Sequence, residues 1–347
     1  MPIPTEPIGS IPRPAYLVDG LTDLAELNGL VDKAVAETID RLAATGSPVL
    51  TDGEQGKPSF ATYPLGGVEA LAADGAVIPF ADGHTRQLPR LTGGPFRYGA
   101  FAVSYLTKAK QLTDRPVKQA VIAPSALSLL YPADGIAGYS REAFLADLAD
   151  ESEKDIGQCL AAGAASVQLD FTEGRLSLKL DPSGDLLRDF VELNNTVLDR
   201  FSAAERGRLG VHTCPGGDQD SVHSLDVDYA ELLPDFFELR AGTFYLQLAS
   251  EPDPARVLRM VRDHAREDQR IFVGVVDPVD PRVETPEEVC DRVLEAAGYI
   301  PVERLGTCDD CGFSPFADDT STSREIAFAK IEARVRGTRL ASEKLGV

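Results

Sequence analysis

The sequence has no tryptophan, only two methionines and four histidines, and fewer basic than acidic side chains (34 against 55 in 347 residues). The formal net charge of −21 excludes nucleic acid and anionic lipid as expected partners, because both are bound through basic patches. No run of about 18 apolar residues occurs, so no membrane span is expected. The 43% hydrophobic and 26% charged residues are typical of a globular protein.

Cysteine is also scarce, and its distribution indicates a compartment. The five cysteines are an odd number spread over the chain, which does not suit a disulfide framework. The first twelve residues contain four prolines and lack the basic segment and apolar block of a secretory signal. We therefore expect reduced thiols and a cytoplasmic location.

Short apolar runs alternate with amphipathic helical segments, the first of which is a predicted helix over 21–44. The eight candidate strands are the segment that ends at Ser10 and residues 48–54, 119–124, 166–170, 209–214, 243–249, 271–277 and 304–308. The glycine spacing of a dinucleotide-binding turn is missing after the first strand, which disfavours a doubly wound sheet. The pattern predicts one domain over 1–347, a (β/α)8 TIM barrel, with an inserted hairpin or loop over about 61–105, after strand two.

Active sites of such barrels lie at the carboxyl ends of the strands, where this sequence places histidine and cysteine. His212 and Cys214 are two residues apart on one strand and so share a face, and Cys311 follows the last strand. One nitrogen and two sulfur donors suit Zn²⁺. These three residues are therefore a candidate metal site.

Two carboxylates end other strands of the predicted barrel, Glu54 the second and Asp170 the fourth. Such acids are often merely solvated, but together they would also bind a cationic group such as an α-ammonium. Ser10, at the end of the first strand, would then face the carboxylate of the same ligand.

Five short motifs at these strand ends resemble, in order and spacing, the catalytic barrel of cobalamin-independent methionine synthases. They are IGS (8–10), DGE (52–54), QLD (168–170), HTC (212–214) and DCG (310–312). The similarity covers essentially the whole chain, and HxC followed about 100 residues later by DCG is its most specific part. It implies a zinc-dependent methyltransferase of methionine biosynthesis, in which a homocysteine-like thiol is activated as a zinc thiolate and methylated on sulfur.

The resemblance also implies roles for individual residues. His212, Cys214 and Cys311 correspond to zinc ligands, and Ser10, Glu54 and Asp170 correspond to residues that hold the amino-acid part of homocysteine. Gln247 stands where the family has a glutamate as fourth ligand. The family's tryptophan that holds the folate pterin has no counterpart, which leaves the methyl donor open.

A departing amine or alkoxide must be protonated, so the reaction needs a general acid near the barrel mouth. Asp277, Asp280 and Glu173 are the candidates, and Asp280 replaces a histidine of the family. The sequence does not distinguish between them. The expected partners are a small thiol substrate and a small methyl or alkyl donor.

Two other functions fit the same motifs. One is that of the epoxyalkane:coenzyme M transferases (2-hydroxyalkyl-coenzyme M lyases), which also alkylate a zinc-bound thiol. It requires a cationic clamp for a sulfonate, and the candidates are Arg13, Lys57, Arg90 and Arg97. The other is a zinc- or tetrapyrrole-binding barrel without enzymatic activity.

Overall fold

A computed structural model describes residues 1–19 and 27–347. Its strands are β1 (Leu71–Ala72), β2 (Val77–Pro79), β3 (Thr85–Gln87), β4 (Arg90–Leu91), β5 (Gln119–Ile122), β6 (Val167–Asp170), β7 (Leu209–Thr213), β8 (Gly217–Asp218), β9 (Ser221–Val222), β10 (Thr243–Leu246), β11 (Arg270–Gly274) and β12 (Leu305–Cys308).

Helices follow or precede the longer strands throughout the chain. They are α1 (Ala15–Asp19), α2 (Leu27–Ala44), α3 (Val103–Lys110), α4 (Pro124–Ser128), α5 (Arg141–Ala161), α6 (Glu173–Leu180), α7 (Asp185–Leu198), α8 (Ala203–Arg206), α9 (Tyr229–Phe236), α10 (Pro254–His264), α11 (Pro286–Ala297) and α12 (Arg324–Leu345). Residues 21–26 of the helix predicted over 21–44 lie outside the described residues.

The longer strands form one parallel sheet in the order β12-β11-β10-β7-β6-β5. Nearly every residue in these strands is buried, as is typical of parallel sheets in α/β proteins. This burial explains the continuous apolar runs in the sequence. Six of the eight predicted strands are thereby confirmed, within an α/β fold.

The first two predicted strands form isolated bridges instead of regular strands in the described residues. Thr5 pairs with Thr307 of β12, and Leu50 pairs with Val117, just before β5. Prolines at positions 4, 7 and 48 cannot donate a backbone hydrogen bond, which limits the pairing of both segments. The two segments nevertheless lie at the two open edges of the sheet, and Ile11 N donates to Gly53 O across 3.0 Å between them.

Ile8, Tyr245, Phe272 and Cys308 form a small cluster of buried residues that is separate from the main hydrophobic core. Cys308 is fully buried and its sulfur lies 3.6 Å from the carbonyl oxygen of Phe272. This cysteine is therefore a packing residue, although it forms a CxxC pair with Cys311 in the sequence. No helix in the described residues is long and apolar enough to cross a membrane.

Candidate metal centre and adjoining cavities

The three predicted metal ligands lie together at the carboxyl end of the sheet. His212 lies near the end of β7, Cys214 follows that strand, and Cys311 lies in the turn after β12. One ligand atom of each residue lies within 4.8 Å of those of the other two. Strands β10 and β11 separate β7 from β12 in the sheet, so the turn at 309–312 must reach across the sheet end to complete the group.

The imidazole of His212 is buried, and its ring nitrogens have no hydrogen-bond partner among the described residues. The residue is 2% exposed. Buried polar atoms of this kind are rare because each one costs about 1–3 kcal/mol. One nitrogen and two sulfurs around this point fit a zinc ion.

The two thiols of the group differ in their readiness to ionise. Their sulfur atoms are 2.8 Å apart. The hydrogen bond from Cys214 holds the pKa of Cys311 well below its ordinary value. Burial raises the pKa of Cys214 well above its ordinary value. Cys311 is therefore the more readily ionised thiol of the two, and the thiolate is the form that binds metals.

Asp310 holds the turn that carries Cys311 in place through its carboxylate. Its Oδ1 accepts hydrogen bonds from the backbone N–H groups of Leu248 and Ala249, both at 2.8 Å. Its Oδ2 accepts from the backbone N–H and the hydroxyl of Ser250, both at 2.7 Å. These four bonds tie the turn after β12 to the segment after β10.

The candidate ligands His212, Cys214 and Cys311 are called the metal group below. A cavity of about 370 Å³ opens directly beside this group. Ser10, Glu54 and Asp170 line it together with His212 and Cys311. The structure thus brings the three predicted substrate-binding residues and two predicted metal ligands to one space. Asp170 and His212 are also register partners in the β6–β7 pair.

Glu54 and Asp170 both line this cavity, but their side chains have different partners. Glu54 has a φ of 55°, which is uncommon for a residue with a side chain, and its Oε1 pairs with Lys57 Nζ at 2.8 Å. Asp170 forms no ion pair with any residue that the structure describes, accepts a hydrogen bond from Gln168 at 2.7 Å, and has its pKa raised by burial to about 6. Sequence reasoning missed Lys57 as the partner of Glu54.

Gln247, predicted as a fourth ligand, has both ends of its amide engaged. Its Oε1 accepts from Arg175 Nη1 at 3.1 Å, and its Nε2 donates to Ser250 Oγ at 2.7 Å. Arg175 in turn pairs with Glu251 at 2.8 Å. Ligation by Gln247 would require the exchange of its bond to Arg175.

The three candidate acids lie in different places. Asp277 and Asp280 do not line the cavity, and each accepts a hydrogen bond from its own turn, from Val279 N and Arg282 N at 2.9 Å. Burial raises the pKa of Asp277. Glu173 begins α6 and lines a second cavity of about 570 Å³, which no motif in the sequence indicated.

All four cations considered as a clamp for a sulfonate are bonded to other groups of the protein. Arg13 donates to backbone oxygens of Ser314, Phe316, Glu54 and Lys57. Lys57 is bound to Glu54, Arg90 pairs with Asp74, and Arg97 pairs with Asp147. None of the four lines the cavity beside the metal group.

The sequence is similar to known proteins over most of its length. The family model described as "Cobalamin-independent synthase, Catalytic domain" matches residues 4–329. A methionine synthase of Thermococcus kodakarensis is 23% identical over 99% of this chain and 94% of its own length. A 5-methyltetrahydropteroyltriglutamate–homocysteine methyltransferase of Streptomyces coelicolor is 26% identical over 90% of this chain but only 39% of its own length.

Among solved structures, a B12-independent methionine synthase from Shewanella sp. W3-18-1, in complex with selenomethionine, has a similar fold. The TM-score is 0.80 at 19% sequence identity, over 99% of both chains. At this level of identity the likeness shows that the fold is shared.

Proposed function

The chain belongs to the cobalamin-independent synthase catalytic-domain family, and from this premise we propose that it transfers a methyl group to the sulfur of homocysteine or a closely related thiol. The observation that carries the proposal is the convergence of two residue sets on one cavity. His212 and Cys311 lie on one side of it, and Ser10, Glu54 and Asp170 lie around the rest.

We assign His212, Cys214 and Cys311 as the residues that would hold Zn²⁺, because they place one nitrogen and two sulfurs within 4.8 Å of one another. When bound, Zn²⁺ supplies the positive charge that keeps a coordinating thiol deprotonated at neutral pH. Three protein ligands leave a fourth position for a substrate thiol. The amide of Gln247, bonded to Arg175 and Ser250, is not needed in this arrangement.

The other residues of the cavity would orient the amino-acid part of the substrate. Glu54 and Asp170 offer carboxylate oxygens to an α-ammonium, and the ammonium favours the ionised form of Asp170. Ser10 Oγ accepts a hydrogen bond from Ser314 N at 3.2 Å, which leaves its own hydrogen for the substrate carboxylate. Contacts at both ends of the amino acid would fix the position of the sulfur, and such positioning supplies much of the rate of a displacement reaction.

Alkylation of a sulfonated thiol, as in the epoxyalkane:coenzyme M transferases, is the weaker alternative. A sulfonate needs a free cation, and Arg13, Lys57, Arg90 and Arg97 are all paired or bonded to backbone oxygens. The two acids beside the metal group suit an ammonium better than an anion.

We also propose that the fold closes into a single-domain (β/α)8 barrel over 1–347. The segments around Thr5 and Leu50 extend the six-stranded sheet at its two edges, and the Ile11–Gly53 bond links them. The segment at 61–105 would then be an insertion after the second barrel strand, beside the site.

The proposal is tested by comparing Cys311→Ser with Cys290→Ser, the same change at a buried cysteine of α11. Zinc content and calorimetric titration with homocysteine are measured first, followed by methyl transfer from 5-methyltetrahydropteroyltriglutamate, the donor named in the relatives. The wild type and Cys290→Ser should hold about one zinc per chain and release a proton on binding homocysteine. Cys311→Ser should lose zinc, homocysteine binding and methyl transfer, and full homocysteine binding by a metal-free Cys311→Ser protein would contradict the proposal.

A further inference from the structure

A chain of buried polar side chains leads from the interior of the sheet to the cavity beside the metal group. Gln168 precedes Asp170 by two residues on β6, so both side chains lie on the same face of the sheet. Gln168 is fully buried, does not line the cavity, and donates from Nε2 to Asp170 Oδ1 at 2.7 Å. Any effect of Gln168 on a bound substrate therefore passes through Asp170.

Lys118 determines which way the amide of Gln168 faces. Lys118 is fully buried, and its Nζ donates to Gln168 Oε1 at 2.8 Å. A lysine ammonium has donors and no acceptor, so it bonds to the oxygen of an amide and not to its nitrogen. The NH₂ group of Gln168 must then face Asp170. With the amide turned over, two donors would meet at Lys118 and two acceptors at Asp170.

The positive charge of Lys118 is compensated on its other side. Its Nζ lies 3.6 Å from Glu6 Oε2 and 4.2 Å from the centre of the Tyr245 ring. The hydroxyl of Tyr245 donates to the same oxygen of Glu6 at 2.7 Å. Burial lowers the pKa of Lys118, and the charge of Glu6 opposes that effect. These contacts hold the ammonium between Glu6 and Gln168, away from the cavity.

We propose that Gln168 and Lys118 are positioning residues for recognition of the substrate α-ammonium: Lys118 fixes the amide of Gln168, and Gln168 fixes the carboxylate of Asp170. The inference rests on the proposed function, in which Asp170 binds that ammonium. Because Gln168 binds one oxygen of Asp170, rotation of the carboxylate is restricted and its other oxygen is held for the ligand. Support from behind of this kind keeps a binding group in its productive geometry.

The inference is tested with two thiols that differ in the ammonium. Homocysteine and 4-mercaptobutyrate share the thiol, the carbon chain and the carboxylate, but the second has no amino group. Dissociation constants of both are measured by calorimetric titration of the zinc-loaded protein at pH 7. The wild type should bind homocysteine at least about tenfold more tightly, because only homocysteine offers an ammonium to Glu54 and Asp170.

Gln168→Met removes the donor to Asp170 and keeps the size of the side chain. Homocysteine affinity should fall about tenfold, whereas the affinity for 4-mercaptobutyrate should change by less than about twofold. A merely structural disturbance would weaken both thiols, since both would use the zinc and Ser10. Gln119→Met is the matched control and should keep the preference for homocysteine. Gln119 is equally buried on the neighbouring strand β5, but its Nε2 donates to the backbone oxygen of Ala120.

Lys118→Met tests whether the lysine acts through the glutamine. Alone, it allows the amide of Gln168 to turn over and should lower the preference for homocysteine about threefold. The double variant Lys118→Met/Gln168→Met should have the same preference as Gln168→Met, because no amide is left for the lysine to orient. It also contains no unpaired buried ammonium at position 118, so it separates a loss of recognition from a loss of stability. A further threefold loss of preference in the double variant would overturn the role of Lys118.

The outcomes distinguish this inference from the proposed function. A preference for homocysteine that survives in Gln168→Met would overturn the inference and leave the proposed function intact. A parallel loss of both thiols in Gln168→Met and in the double variant would do the same. A wild-type protein that fails to bind homocysteine would refute the proposed function, and the inference with it.

Discussion

At the scale of single residues, the metal group depends on a glycine that is not a ligand. A Cβ on Gly274, the last residue of β11, would lie 1.9 Å from Asp310 Oδ1. Asp310 therefore reaches its four donors around 248–250 only because position 274 has no side chain. Cys311 is the next residue of the same turn, so its position depends on that of Asp310.

We expect Gly274→Ala to displace Asp310 and with it Cys311. Zinc affinity should fall by about 10–100-fold, the usual effect of losing a residue that orients a ligand. Competition with a chromophoric chelator measures this directly. Gly29→Ala is the matched control, since a Cβ at that position in α2 meets nothing within 4 Å and alanine is the better helix former. An unchanged zinc affinity in folded Gly274→Ala would contradict the role given to Asp310.

At the scale of elements, helix α5 binds the segment at 61–105 through a buried acid. Asp155 accepts hydrogen bonds from the hydroxyl of Tyr63 and, at 2.6 Å, from the backbone N–H of Ala102. Burial raises the pKa of Asp155 to about 6. The attachment of this segment, which contributes walls to the second cavity, is therefore sensitive to the protonation of one carboxyl group.

The direction of this sensitivity follows from the pKa. Because the folded-state pKa of Asp155 exceeds its unfolded value, the folded protein retains the proton longer, and stability is lost as the pH rises from about 4 to about 6. A rise of this size corresponds to about 3 kcal/mol. Asp155→Asn should remove that part of the decline in the free energy of unfolding, measured by urea denaturation at several pH values.

Asp147 on the same helix provides a control of opposite sign. Burial raises the pKa of Asp147, but hydrogen bonds from Tyr139 and Arg97 outweigh it and hold the pKa below its usual value. Its contribution to stability is present above the unfolded pKa and lost as the pH falls. If Asp155→Asn and Asp147→Asn changed the pH profile in the same way, the assignment of the decline to Asp155 would be wrong.

At the scale of the whole molecule, the metal group joins distant parts of the chain. Cys214 and Cys311 are 97 residues apart in sequence, and their strands are separated by two others in the sheet. A complete set of ligands thus exists only in the folded protein. Zinc should bind the folded state preferentially and stabilise it.

Thermal unfolding measures this coupling. Free zinc at a hundredfold excess over its dissociation constant adds about 2.7 kcal/mol, which for a chain of this length raises Tm by about 4 °C. Cys311→Ser should show no such rise, whereas Cys290→Ser should behave as the wild type. A zinc-dependent rise that survives in Cys311→Ser would place the ion elsewhere.

The sequence by itself determined the order of strands and helices and the residues around the metal group. Hydrophobic periodicity and apolar runs indicate which residues are buried, and the carboxyl ends of parallel strands share one edge. The sequence alone therefore places His212, Cys214 and Asp170 together. The first two predicted strands were only partly predictable. Their pairing depends on segments distant in sequence, Thr307 of β12 and Val117 just before β5, and the sequence does not show how far the prolines weaken it.

Only the tertiary structure decided how the remaining groups are used. In the folded protein, Gln247 accepts a hydrogen bond from Arg175, and Arg13 donates to backbone oxygens. Glu173 is buried at the wall of a second cavity. These outcomes depend on contacts between segments tens to hundreds of residues apart, such as Arg86 with Asp218 and Asp318. Local periodicity indicates which side of a helix or strand is buried. Which side chain binds which partner in another segment depends on how the loops pack in three dimensions.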